Sequence, residues 1–158
     1  MLLWFVATAV LTVFFVFTDP RFDYRFLVIG ALLPDIVDVW AGRAWVMHSL
    51  AGAVAVLVVV MLATIGNRTW RKRLLGVPIG MLLHLVFDGA FAINDVFWWP
   101  FSGGFGDHPL PVVARGWWNV PLELAGAALL LWAWRRFGLR DAQRRRRLAR
   151  LGQLTSSN

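Results

Sequence analysis

The sequence predicts an all-α protein, an integral membrane helical bundle with four or five spans. Three observations carry that expectation. Of the 158 residues, 59% are hydrophobic and mean hydropathy is +0.63, whereas an ordinary globular domain is about 45–50% apolar. The apolar residues are gathered into long runs. The basic residues cluster between those runs and at the C-terminal end. The length suits one domain, divided into a bundle over residues 1–137 and a basic cytoplasmic tail over 138–158. Cysteine is absent, which excludes a disulfide framework and thiolate metal ligation.

The elements follow in order. Leu2 to Phe17 is uninterrupted apolar sequence without a basic leader or small-residue cleavage site, so it reads as a retained helix. A short polar connection over 18–25 pairs Asp19 and Asp23 with Arg21 and Arg25. Phe26 to Trp40 is apolar but short, and it carries Pro34, Asp35 and Asp38; the proline is expected to kink or break it. His48 to Ile65 is a clear span with His48 and Ser49 at its first turn, and Gly66 to Arg73 is a basic loop. Leu74 to Ile93 is the next span, with His84 and Asp88 inside it. A Gly-, Pro- and Trp-rich loop runs to Asn119, and Val120 to Phe137 is the last span, with Glu123 in its first turn. Glycines at 52, 76, 80, 89 and 126 would allow helices to approach closely.

The charges suggest a topology. With five spans and the N-terminus outside, 14 of the 16 Lys and Arg residues fall inside, and only Arg43 and Arg115 fall outside. If 26–40 only re-enters, four spans remain and everything after Ala41 keeps its side. On the five-span frame Asp35, Asp38, His48, His84, Asp88 and Glu123 all fall in the outer half of the membrane or at its outer face.

His84 and Asp88 are i, i+4 and Asp35 and Asp38 are i, i+3, so each pair shares a helix face. With His48 they make two imidazoles and three carboxylates. A catalytic zinc takes three protein ligands and keeps one position for water. Five candidates suffice for one metal with carboxylates behind the histidines, or for two metals sharing a carboxylate. Nitrogen and oxygen ligands suit a divalent metal such as zinc or manganese. The expected metal ligands are His48, His84 and Asp88, with Asp35 or Asp38 as fourth ligand or catalytic base. The structural alternatives are a packed polar network, with Asp38 as a cap and Asp35 and Glu123 answering helix dipoles. Asp107 and His108 read as solvated loop residues. Trp98, Trp99, Trp117 and Trp118 match an interfacial aromatic belt. The Arg144 to Arg147 run and its tail suit anionic lipid better than nucleic acid.

Gly30 to Asp38 (Gly-Ala-Leu-Leu-Pro-Asp-Ile-Val-Asp), His48-Ser49, His84 to Asp88 and Trp99-Pro100-Phe101 together resemble the YdjM-like family of bacterial inner-membrane metal-dependent hydrolases, some of them under LexA control. The resemblance implies that Asp35, Asp38, His48, His84 and Asp88 stand at the family's metal-binding positions. It also implies a multi-pass protein of the bacterial cytoplasmic membrane, with its C-terminus in the cytoplasm. Two residues separate Asp35 from Asp38 where the family has one, and the family's first His before His-Ser is missing here, which bears against a second metal.

The expected activity is hydrolysis by metal-activated water near the outer leaflet, on a lipid or lipid-linked substrate. The alternative is a membrane scaffold or accessory subunit whose polar cluster serves packing or partner helices. Proton relay, a third reading, lacks ionisable groups in the cytoplasmic half to complete a path.

Overall fold

Four glycines set how the main helices pack. The computed structural model of the chain describes residues 1–17, 19–105 and 108–154. It is all-α: α1 (Leu2–Phe17), α2 (Tyr24–Ala41), α3 (Leu50–Ala63), α4 (Arg68–Leu74), α5 (Gly76–Asp88), the single turns α6 (Asn94–Phe97) and α7 (Pro111–Ala114), α8 (Asn119–Arg136) and α9 (Ala142–Leu151). The dominant seam joins α2 to α5. A Cβ on Gly30 would lie 2.0 Å from the Val77 carbonyl oxygen, and one on Gly80 would lie 2.2 Å from that of Leu27. Gly76 sits against Leu27 and Phe26 less tightly, its added Cβ 2.9 Å from the Leu27 nitrogen. The seam is therefore backbone against backbone. The same device joins α8 to α1, where Gly126 faces Leu3 and Trp4. Gly89 does not share it: it closes α5 with φ of 71°.

Local chemistry sets the ends. Asp23 caps α2 by accepting from the Arg25 N–H, Ser49 caps α3 through Gly52, Asn67 caps α4 through Trp70, and Asp141 caps α9 through Gln143. Pro34 does not break α2, which runs 18 residues through it. One lost backbone hydrogen bond is outweighed by packing along the seam. Residues 138–154 are not an extended tail: α9 folds back so that Leu148 and the buried Leu154 join a core of Val13, Leu27, Ala133 and Phe137. A second core holds Ala53, Met81, Leu85 and Ala90.

The expected placement as a multi-pass protein of the bacterial cytoplasmic membrane is overturned. Among the described residues no helix is long and apolar enough to cross a membrane. The long apolar runs are cut by caps and turns, leaving α1, α3 and α5 with 16, 14 and 13 residues, where a crossing needs about 20. α2 and α8 reach 18 residues, but each carries three charged groups: Arg25, Asp35 and Asp38 in one, Glu123, Arg135 and Arg136 in the other. The inside and outside sorting of charges falls with the spans. The hydropathy itself is real and much of it faces outward, as at Phe15, Phe17, Val59, Leu62 and Trp40.

Candidate metal centre

The α2–α5 seam brings the Asp35–Asp38 turn alongside the His84–Asp88 turn, and the 3-10 turn Val46–His48 delivers His48 from the start of α3. His84 donates from Nδ1 to the Ala31 carbonyl oxygen at 2.7 Å. A carbonyl only accepts, so Nδ1 carries the proton and Nε2 presents a lone pair when the ring is neutral. Phe5 lies over the ring at 3.9 Å between centroids. His48 meets Asp38 in the same manner, Nδ1 to Oδ2 at 2.7 Å. Asp38 is itself fixed by the backbone N–H groups of Trp45 (2.8 Å) and Met47 (3.4 Å).

Both imidazoles thus turn Nε2 into one buried space. Asp35 Oδ1 lies 3.6 Å from His48 Nε2 and 3.7 Å from His84 Nε2, and Asp88 Oδ2 lies 4.0 Å from His48 Nε2. Asp35, His48 and His84 can each offer an atom within 4.8 Å of the other two, a grouping that can hold a metal ion. Ligands on a tetrahedral zinc, at metal distances near 2.0–2.1 Å, stand about 3.3 Å apart, close to the 3.6 and 3.7 Å that separate Asp35 Oδ1 from the two Nε2 atoms. His48 Nε2, His84 Nε2 and Asp88 Oδ2 have no hydrogen-bond partner among the described residues, a costly condition for buried polar atoms unless something binds them.

The charges agree. Arg115 donates from Nη1 to Asp88 Oδ1 at 2.8 Å and from Nη2 to the Asp88 carbonyl. With His48 neutral, three carboxylates against one guanidinium leave two negative charges, which one divalent cation would balance. Without a cation, His48 takes a proton instead: burial opposes it, but Asp35, Asp38 and Asp88 outweigh burial and push its pKa up to about 9. Burial holds His84 below the ordinary histidine value. For Asp35 burial acts upward but is outweighed by both histidines, so its carboxyl titrates below the usual range. Asp35 is also the member open to solvent, its side chain 15% exposed while His48 and His84 are sealed.

All five expected residues meet here, in different roles. Asp35, His48, His84 and Asp88 face the common space, whereas Asp38 stands behind His48 and orients it. Asp38 is not the helix cap that the structural alternative expected: it lies inside α2 and accepts the Trp45 and Met47 N–H groups across the turn. Glu123 is elsewhere: it receives the Leu3 N–H at 2.9 Å and pairs with the Met1 amino group at 3.6 Å, closing the start of α1. His108 pairs with Asp95 at the surface, and Asp107 lies outside the described residues. Arg115 was not foreseen as a site residue; its one signal was standing, with Arg43, apart from the basic clusters. Nothing in the sequence marks the Ala31 carbonyl. No protein-family model matches the chain, and neither a curated protein nor a solved structure does.

Proposed function

We propose that the chain is a metal-dependent hydrolase, with Asp35, His48, His84 and Asp88 holding one zinc or manganese ion. The observation that supports this most is the pair of histidines pinned through Nδ1 by Asp38 and by Ala31, so that both Nε2 atoms converge on Asp35 Oδ1. A divalent ion supplies Lewis acidity there and lowers the pKa of a bound water toward neutrality. Asp38 holds the His48 tautomer, and Arg115 keeps Asp88 turned inward. Asp35 would hold the ion through Oδ1, and its other carboxylate oxygen would take a proton from the attacking water. The resemblance to YdjM-like hydrolases points the same way.

The substrate class we infer is an amphiphilic acyl ester or phosphoester, lipid or lipid-linked. An apolar groove of about 450 Å³ starts two residues after His48, between Leu50 and Val54 of α3 and the Trp98–Phe101 segment, and it suits a hydrocarbon chain.

Elemental analysis of protein purified without chelator tests the metal. Wild type should carry about one zinc or manganese per chain and His84→Ala none. A series of nitrophenyl esters and phosphoesters of rising chain length, with metal removed and restored, tests the reaction. A metal-free wild type would leave these residues as a packing network and end the proposal.

A further inference from the structure

A second cluster lies apart from the metal centre and is built from three separate stretches of chain. Arg21 from the α1–α2 connection, Arg68, Thr69, Lys72 and Arg73 from α4, and Gln153 beyond α9 surround one cleft of about 330 Å³, large enough for a small ligand. None of its four cations has a carboxylate within ion-pair distance among the described residues. Asp23, the one acid in the wall, is already consumed: Arg25 takes its Oδ1 at 2.9 Å through Nε and its Oδ2 at 2.7 Å through Nη2. The terminal carbonyls of α9, at Ala149 and Arg150, which would otherwise repel an anion, are covered by Arg25 Nη1.

α4 gains nothing by itself from this arrangement. Arg68 and Lys72 are i, i+4, a spacing at which like charges destabilise a helix. Arg71, by contrast, is turned away and braces Thr64, while Arg73 leans over the Trp70 ring at 5.6 Å. The far wall is held rather than loose. The Tyr24 N–H donates to the Gly152 carbonyl at 2.8 Å, and a side chain at Gly152 would collide with Asp23. That contact keeps Gln153 on the cleft. Uncompensated cations, a hydroxyl and an amide around one concavity match the oxygens of a multiply charged anion.

We propose that this cleft binds a phosphate-bearing anion of at least two charges, a diphosphate group or a phospholipid headgroup. The proposal is independent of the metal centre. It is tested on the full chain by calorimetric titration with pyrophosphate, and by flotation with phosphatidylcholine vesicles with and without phosphatidic acid. Arg68→Gln/Lys72→Gln is compared with Arg135→Gln/Arg140→Gln, which removes the same charge from another surface; both pairs are exposed, and circular dichroism checks their fold. The expected result is binding of pyrophosphate or of acidic vesicles, weakened about tenfold or more by the α4 pair and unchanged by the control pair. Binding of free pyrophosphate assigns a soluble ligand, and binding confined to acidic vesicles assigns a headgroup. Absence of binding to both probes, equal weakening by both variants, or tighter capture of a single-stranded oligonucleotide than of either probe overturns it.

Discussion

Two buried aspartates, each clasped by an arginine, stand at opposite ends of the α2–α5 seam, and they are not equivalent. Asp23 and Asp88 have the same residual side-chain exposure, 2%. Arg25 meets Asp23 with two nitrogens on two carboxylate oxygens. Arg115 meets Asp88 with one nitrogen on Oδ1 and spends the other on the backbone carbonyl. One carboxylate is thereby saturated, and the other keeps an oxygen that nothing described satisfies. The first cluster completes a structure, closing α9 onto α2. The second has binding capacity left over, turned toward two imidazole nitrogens in the same condition. Burial and charge are shared, so the count of unused lone pairs separates a structural ion pair from a ligand site.

The most damaging change should strike both ends at once. Gly80 lies on the seam between the two clasps, and an added Cβ would meet the Leu27 oxygen at 2.2 Å, the Ala31 nitrogen at 2.7 Å and the Gly30 carbon at 3.0 Å. Backbone cannot step aside as a side chain can. Gly80→Ala should cost about 3 kcal/mol in denaturant unfolding and, by displacing His84 one turn along, should also lower metal affinity. Unchanged metal affinity at reduced stability would mean that the centre does not depend on the seam.

A pair of smaller changes sharpens the contrast. Asp88→Asn removes the charge that faces the histidines but leaves an oxygen for Arg115, so stability should move little while metal affinity falls about 100-fold. Asp23→Asn breaks the bidentate clasp beneath α9. It should cost about 1–2 kcal/mol, discounted because Arg25 is 39% exposed, and leave metal content as in wild type. Chelator competition and thermal melts on the same preparations check both. A loss of metal in Asp23→Asn equal to that in Asp88→Asn would erase the distinction.

How far these features could be read in advance depends on what each requires. The helices were legible because apolar runs and caps are local: α1 matches its expected bounds, α3 and α5 are shorter than expected, α2 runs past its expected bounds at both ends, α8 is shifted by one residue, and α4 forms where a basic loop was expected. The meeting of Asp35, His48, His84 and Asp88 was legible because ionisable groups are rare in apolar runs and shared a helix face. The membrane frame used to align them was not sound, yet the alignment survives, because the parallel course of α2 and α5 through Gly30 and Gly80 supplies the common level instead. The separate duty of Asp38 was not legible. Spacing gives a shared face, but only backbone geometry at Trp45 and Met47 turns its carboxylate toward Nδ1 rather than into the centre. Arg115 and the docking of α9 depend on contacts 27 and more than 120 residues apart in sequence, which no local pattern encodes.

The smallest effect concerns a single proton. The unsaturated end holds a proton on His48 when no cation is bound, with a pKa raised to about 9. A cation at Nε2 must displace that proton, since Nδ1 is committed to Asp38. His84, held below its ordinary value, has no proton to lose at neutral pH. Metal affinity should therefore rise with pH, about tenfold per unit for one displaced proton, and level off above about pH 9. The sign follows from the raised pKa: below it the protonated ring competes with the metal, and above it the competition ends. Calorimetric titration of metal-stripped protein in buffers of different ionisation enthalpy counts the protons directly. Release of about one proton at pH 7.5 is expected. Release of none, at wild-type affinity, would mean that the imidazole was already neutral and that the carboxylates around it do not act as the unsatisfied end requires.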